Sequence, residues 1–308
     1  MKTLNRPFLA ALAFVSLGAA TKAHAGMVII PTFDASVTSG QQAVIQQALN
    51  FYNNTFANNV TIQIEFVTGG SGGSSGANPT AISYTTVKNA LGTVASTFSS
   101  SVLTNALSFW NVGNITTSLE LTSADCRAIG LGCAANQAGT GSFASSTFDG
   151  VVTVASNLYA DTSVIDHEIN EVLGVGGWGT ILTSSVNGGS ALGAILDPYR
   201  FSAPGTKSFT NATTATSYFS LNGGTTNIAS FNQTGIGDYG DLTTSPCYAQ
   251  SYTVCASPLA VSLTSPEGLM LQGAGYVPPS SGGATPEPAS FSLMGIALAG
   301  LAIIRRRK

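Results

Sequence analysis

One segment, VIDHEINEVLG at residues 164–174, constrains the fold most, because its pattern predicts a helix with two chemically different faces. At 100° per residue, the aliphatic side chains of Ile165, Ile169, Val172 and Leu173 lie together on one face. His167, Glu171 and Gly174 lie on the opposite face. Such a helix packs its apolar side into a core and presents the other side to a cleft or to solvent.

The polar face presents an imidazole and a carboxylate one helical turn apart, which suits joint coordination of one cation by His167 and Glu171. Glu168 lies beside that face, where it can act as general base on a water that the cation acidifies. Zn²⁺ is the first candidate ion. One imidazole with carboxylates is a harder ligand set than zinc sites usually have, so Mn²⁺ and Ca²⁺ stay open.

A solvated polar helix face is the alternative interpretation of this segment. His167 is the only histidine after residue 25, and the chain has six glutamates. Glutamate at both offsets from one histidine is therefore about a one-in-a-few-thousand coincidence for this motif. The apolar stripe opposite and the Gly-rich segment that follows favour a site.

The rest of the pattern predicts an α+β fold. Apolar residues follow helical spacing over residues 40–56 and then strand alternation over residues 60–67. Residues 69–76 are expected to form a Gly/Ser loop, and one or two further helices are expected over residues 85–110. A short strand is expected over residues 148–155.

The His-Glu helix is expected to begin near Thr162 or Ser163, either of which can cap it, with Asp166 in its first turn. After Gly174 the composition changes, and Gly, Ser, Thr and Asn dominate as far as about residue 245. Ser265 followed by Pro266 predicts the start of a last short helix. We expect a single two-lobed domain over residues 26–276, with an irregular, β-rich second lobe.

The distribution of charged residues argues against a nucleic-acid partner. Of the 11 basic residues, seven lie before residue 26 or after residue 290, which leaves four against all 14 acidic residues in between. No basic face remains there to neutralise phosphates, so we expect no nucleic-acid partner. Membrane association is expected only through the C-terminal segment.

The N-terminal segment, residues 1–25, has the three parts of a secretory signal. Lys2 and Arg6 precede an apolar run over residues 8–20, and Ala23-His24-Ala25 is a small-residue site for signal peptidase. The apolar run is shorter than the roughly 20 residues that a membrane anchor needs. We therefore expect export.

The C-terminal segment contains a flexible linker over residues 277–285, then Pro286-Glu287-Pro288, an apolar run and the basic cluster Arg305–Lys308. The sequence ATPEPASFSLMGIALAGLAIIRRRK resembles the PEP-CTERM sorting signal of Gram-negative bacteria. The resemblance implies recognition of residues 286–308 by an exosortase, removal of the transient inner-membrane anchor, and delivery to the cell surface or extracellular matrix. A plain membrane anchor is the alternative.

All four cysteines follow the signal segment, as two close pairs: Cys126 with Cys133, and Cys247 with Cys255. An exported protein meets an oxidising compartment, where such pairs form disulfides. Four cysteines allow three pairings, of which the local one is favoured by the spacing.

The order of helix, strand (VTIQIEFV), helix, strand (FDGVVTVA) and His-Glu helix is similar to the N-terminal lobe of zincins, with Gly174 where metzincins place a turning glycine. The chain also resembles a group of PEP-CTERM-bearing, metalloprotease-like proteins in its segments HEINEVLG, DPYRFSAPG and GDYGD, at residues 167–174, 197–205 and 237–241. The resemblance implies a metzincin- or gluzincin-type lobe with a central metal helix. It also implies peptide substrates that pair with an edge strand above that helix.

The sequence departs from the metzincin pattern at the third ligand, whose position is occupied by Gly177. Asp197 is the preferred third ligand, since gluzincins and aspzincins take an acid from a later segment; an Asp-Pro turn is the alternative. Asp238 and Asp241, in the Gly-rich GDYGD segment, predict either a calcium loop or plain turn residues.

Two functions follow from these observations. The first is an exported, surface-sorted metal-dependent endopeptidase with Glu168 as general base and His167, Glu171 and Asp197 as ligands. The second is a non-catalytic extracellular matrix or adhesive protein on a degenerate zincin scaffold.

Overall fold

A computed structural model describes residues 26–111, 118–177 and 193–279, all of which belong to one compact unit. The expected signal segment, most of the linker and the sorting segment lie outside these residues. The described residues form six α-helices, with the bounds Ser39–Thr55 (α1), Tyr84–Thr97 (α2), Ser101–Leu107 (α3), Ser123–Ala128 (α4), Ser163–Val172 (α5) and Pro266–Gly273 (α6).

The same residues form 13 short strands. Their bounds are Val28–Phe33 (β1), Thr61–Thr68 (β2), Gly73–Gly76 (β3), Thr80–Ser83 (β4), Ser118–Leu121 (β5), Gln137–Ala138 (β6), Thr147–Phe148 (β7), Gly150–Val154 (β8), Gly193–Ala194 (β9), Arg200–Ala203 (β10), Thr206–Lys207 (β11), Tyr218–Phe219 (β12) and Ala229–Ser230 (β13). Helices and strands alternate in the first half, and very short strands dominate the second. The expected α+β class is confirmed.

The main sheet has the order β1-β2-β8-β3. β1, β2 and β8 are parallel, while β3 runs antiparallel to β8 at the edge. Helix α1 makes the crossover that a parallel β1–β2 pair requires. Helix α5 packs against β3 and β8 and also contacts α1, so the edge strand and the His-Glu helix are direct neighbours.

Three smaller sheets complete the fold among the described residues. β4-β5-β9 form a mixed sheet, β6 pairs with β7, and β11-β10-β12-β13 form an antiparallel sheet in the second half of the chain. Tyr199 and Phe219 of the second half and Met270 of α6 are buried in the same hydrophobic core as α1 and β2.

Three local expectations differ from the structure. Residues 73–76, expected to be loop, form β3, because pairing with β8 outweighs the low strand propensity of Gly and Ser. Glu65, which the strand alternation over residues 60–67 places on the polar face of β2, is fully buried; its carboxylate accepts hydrogen bonds from Thr140 N and Oγ1, both at 2.8 Å. The side chain of Thr162 does not cap α5; Asp161 Oδ1 accepts from Ser163 N at 2.9 Å instead.

The folded part extends slightly beyond the expected boundary at residue 276. Val277 is buried, its N–H donates to Asn58 Oδ1 at 2.9 Å, and its carbonyl accepts from Ala57 N at 2.8 Å. Val277 therefore belongs to the folded part of the chain. None of the helices in the described ranges has the length and apolar character that crossing a bilayer needs.

Candidate metal centre

Helix α5 has the two faces that its sequence predicts. Ile165, Ile169 and Val172 are fully buried in the core. His167 and Glu171 face the other way, with side chains that are 16% and 10% exposed. The helix ends at Val172, and Gly174, with a φ of +81°, turns the chain two residues later.

Three potential ligand atoms converge beside α5. His167 Nε2 lies 3.2 Å from Glu171 Oε1 and 3.8 Å from Asp241 Oδ2, and all three residues offer atoms within 4.8 Å of one another. Metal–ligand bonds of about 2.0–2.2 Å in a tetrahedron place neighbouring ligands about 3.3–3.6 Å apart. The three residues therefore form a candidate site for a single dication.

The hydrogen bond of the other imidazole nitrogen supports this assignment. His167 Nδ1 lies 3.0 Å from the carbonyl oxygen of Ala249. A carbonyl only accepts, so Nδ1 carries the hydrogen, and a neutral ring points the lone pair of Nε2 at two carboxylate oxygens. That arrangement is repulsive unless a proton or a metal ion lies between them, and a backbone carbonyl on Nδ1 is typical of metal-ligating histidines.

Asp241 reaches the site because the Gly-rich turn after α5 holds its loop. Asp241 Oδ1 accepts from Gly177 N at 2.8 Å and from Gln250 Nε2 at 3.0 Å. Gly240 N donates to the carbonyl of Gly177 at 3.1 Å. The second carboxylate oxygen, Oδ2, is thereby aimed at His167.

The charges of the cluster are strongly interdependent. Burial alone would lower the pKa of His167, but the negative charges of Asp241 and Glu171 outweigh burial and raise it well above its ordinary value. Burial, opposed mainly by the charge of His167, raises the pKa of Asp241 to about 7. Hydrogen bonding to His167 overcomes burial and lowers the pKa of Glu171. Without a metal, these negative charges favour the protonated imidazole of His167.

Glu168 occupies the position beside the cluster that the sequence indicates. It is buried, and its Oε2 has no hydrogen-bond partner among the described residues. Burial first, and then the charge of Glu171, raise the pKa of Glu168 to about 9. Gly73 of β3 lies directly against this side chain, where a Cβ atom would overlap both Glu168 and Val164.

Edge strand β3 borders two cavities. Gly73 lines the first together with His167, Glu168, Tyr248, Tyr252 and Val254. Ser75 lines the second together with Glu120, Glu171 and Gly177. Ser75 Oγ also donates to Glu171 Oε2 at 2.6 Å. The two cavities thus lie beside β3 and α5, one reaching His167 and the other Glu171.

The structure does not bring Asp197, the expected third ligand, into the cluster; Asp241 occupies that position. Asp197 is buried, begins a short 3₁₀ turn, and accepts from Ala194 N at 2.9 Å. The Asp-Pro turn, the alternative for this residue, is therefore what the structure contains. Asp241 could not be preferred from sequence, because both acids lie in Pro- or Gly-rich turns.

The DPYRFSAPG segment instead supports the loop that carries Asp241. Arg200 is buried, its Nη1 donates to the carbonyl of Tyr239 at 2.7 Å, and its guanidinium lies 4.0 Å from the centre of the Phe231 ring. Burial lowers the pKa of Arg200 to about 10, against the opposing charge of Asp197. Tyr199 is buried and donates to Gly273 O at 3.0 Å.

Disulfides join Cys126 to Cys133 and Cys247 to Cys255, which is the local pairing. The second disulfide closes the loop that contains Ala249 and Gln250. Sequence reasoning missed Ser75 and Gln250 at the site, since neither residue type nor local pattern distinguishes them from other polar residues of the chain.

Comparison with known proteins identifies the C-terminal segment only. The protein-family model for the PEP-CTERM protein-sorting motif matches residues 284–308. No curated protein and no solved structure matches the chain. The motif indicates an exported, surface-sorted protein and implies recognition by an exosortase-type sorting enzyme.

Proposed function

We propose that the body of this chain is a metal-dependent endopeptidase with a zincin-like first lobe, in which His167, Glu171 and Asp241 hold one dication. The convergence of these three ligand atoms beside a buried, partly unpartnered Glu168 carries the proposal. A dication bound there supplies Lewis acidity toward a peptide carbonyl and acidifies a water. The two carboxylate ligands neutralise its charge.

Glu168 acts as the general base in this proposal. It accepts the proton of the attacking water and delivers it to the leaving amine. In the metal-free protein, burial holds its pKa at about 9. A nearby positive charge favours the carboxylate form, so occupancy of the site shifts Glu168 toward the state that a base requires.

Substrate binding in this proposal uses β3. An extended peptide can add to a sheet edge through backbone hydrogen bonds, while alternate side chains enter pockets. β3 is the edge strand of its sheet, and the cavities at Gly73 and Ser75 lie along it. A peptide laid along β3 passes His167 and Glu168.

Metal content and cleavage of casein by the purified protein test the proposal. We expect one Zn²⁺ or Mn²⁺ per chain and cleavage that a chelator abolishes. Glu168→Gln should keep the metal and lose activity by about 10²–10⁴-fold, because only the base is removed. His167→Ala should lose both the bound metal and the cleavage activity. A metal-free parent protein, or a fully active Glu168→Gln variant, would refute the proposal.

A non-catalytic surface or matrix protein is the second candidate. It is favoured by the ion pairs that a protonated His167 makes with Glu171 and Asp241, which satisfy the cluster without a metal. In that case zinc leaves the melting temperature unchanged, and binding to polysaccharide or cell surfaces is retained in His167→Ala.

A further inference from the structure

Two consecutive residues, Ala249 and Gln250, reach two of the proposed ligands at once. The carbonyl of Ala249 accepts from His167 Nδ1 at 3.0 Å, and Gln250 Nε2 donates to Asp241 Oδ1 at 3.0 Å. His167 belongs to α5, whereas Asp241 belongs to a loop in the second half of the chain. This dipeptide therefore controls how the two ligands are oriented relative to each other.

Glu267 in turn binds the backbone of this dipeptide. Gln250 N donates to Glu267 Oε1 at 3.2 Å, and both side chains are fully buried. Glu267 lies in the first turn of α6, where the helix dipole stabilises a carboxylate. The Cys247–Cys255 disulfide closes the loop around the dipeptide.

The turn after α5 leaves room for this contact. Gly176 has a φ of +83°, and a Cβ atom there would overlap the side-chain amide of Gln250 and approach Asp241 Oδ1 to 2.9 Å. A glycine at this position lets the amide reach the carboxylate.

We infer that Gln250, anchored by Glu267, is a positioning residue that sets the metal affinity and coordination geometry of the His167–Glu171–Asp241 centre. The inference rests on the proposed function, since it requires that the centre binds a metal. Partners of this kind fix the orientation of a ligand, and their loss typically weakens metal binding by about 10–100-fold.

Chelator-competition titration of the purified full chain with Zn²⁺, together with the visible spectrum of the Co²⁺-loaded protein, tests this inference. Gln250→Met keeps the side-chain volume but removes the donor to Asp241. We expect about 10–100-fold weaker Zn²⁺ binding and an altered Co²⁺ spectrum. The matched control is Gln272→Met, a buried glutamine of α6 that donates to Leu263 O and Gly268 O, away from the site.

Two variants of Glu267 extend the test. Glu267→Gln keeps an acceptor for Gln250 N and should retain parental affinity, whereas Glu267→Met removes it and should weaken binding as Gln250→Met does. If Gln250→Met fails to melt cooperatively, Glu267→Met decides, since it leaves the Gln250 side-chain amide on Asp241 in place and removes only the acceptor of Gln250 N.

The outcomes separate the two hypotheses. A parent that binds Zn²⁺, with Gln250→Met and Glu267→Met binding it equally well, overturns the positioning role and leaves the proposed function intact. A parent that binds no metal overturns the proposed function, and the positioning role with it.

Discussion

Two buried aspartates near α4 show how differently single acidic residues are accommodated. The carboxylate of Asp149 accepts from Ser123 Oγ at 2.6 Å and from Gln63 N at 2.8 Å, and it pairs with Arg127. Asp125 is equally buried, but neither of its carboxylate oxygens has a hydrogen-bond partner among the described residues. Burial raises the pKa of Asp125 well above its ordinary value, which favours the neutral acid in the folded protein.

Asp125→Asn should flatten the pH dependence of stability. Above about pH 4 the Asp125 carboxyl loses its proton in the unfolded state, while burial favours the protonated form in the folded state. The free energy of unfolding therefore falls by about 1.4 kcal/mol per pH unit as pH rises toward the folded-state pKa. Asp125→Asn has no carboxyl group to titrate at this position, so this fall in the free energy of unfolding does not occur. Denaturant unfolding of the metal-free proteins at pH 4, 6 and 8 should show that the free energy of unfolding of Asp125→Asn, relative to that of the parent, increases with pH.

Asp149→Asn is the matched control for this experiment. This substitution leaves Arg127, Ser123 Oγ and Gln63 N with a weaker acceptor than the Asp149 carboxylate, so it should destabilise the protein at pH 7. Parallel pH profiles of the parent and Asp125→Asn would contradict the prediction.

At the scale of elements, the site depends on how closely β3 approaches α5. Local pattern could not predict β3, because a GSSG strand has neither apolar alternation nor strand propensity. The helix was predictable, since its 3.6-residue periodicity is contained in ten contiguous residues. Strand β3 is specified by its partners: it pairs with β8 and covers α5.

Gly73→Ala should impair the site, since the new Cβ overlaps Glu168 and Val164. We expect a loss of about 1–3 kcal/mol in stability from overpacking, and a larger relative loss of peptidase activity because Glu168 is displaced. Gly72→Ala is the control, since a Cβ there has no neighbour within 4 Å. Denaturant unfolding and casein cleavage measure the two effects; equal behaviour of both variants would contradict the prediction.

At the scale of the whole molecule, the proposed centre joins distant parts of the chain. His167 and Glu171 belong to the first, α/β half, and Asp241 to the irregular second half. A bound ion would therefore add a link between two parts of the chain that hydrogen bonds from Ala249 and Gly177 already connect. Anything that binds the folded state alone stabilises it by mass action.

Zinc should raise the melting temperature of the purified protein, and a chelator should lower it. At 100 times the dissociation constant the expected gain is about 2.7 kcal/mol, which corresponds to roughly 5–11 °C for a domain of this size. The melting temperature of His167→Ala should not respond to zinc. A parent whose melting curve is insensitive to both additions would favour the ion-paired, non-catalytic cluster.

Sorting is a property of the tail and should be separable from the body. Replacing Pro286-Glu287-Pro288 with three alanines removes the motif that matches residues 284–308 while leaving the apolar run and basic cluster. We expect unprocessed chain to accumulate in the membrane fraction, as immunoblots of fractionated cells would show. Normal release of the variant would argue against exosortase recognition.

The sequence alone determined the features that contiguous residues encode. These are the two-faced helix with His167, Glu168 and Glu171, the Ser265 cap of α6, and the sorting motif. Only the tertiary structure determines that Asp241 joins His167 and Glu171, that Glu65 is buried, and that the Gly/Ser segment at residues 73–76 forms a strand. Asp197 and Asp241 look alike locally, and only the packing of distant segments (Gly177 N, Gln250 and the Arg200–Tyr239 contact) brings Asp241 to His167.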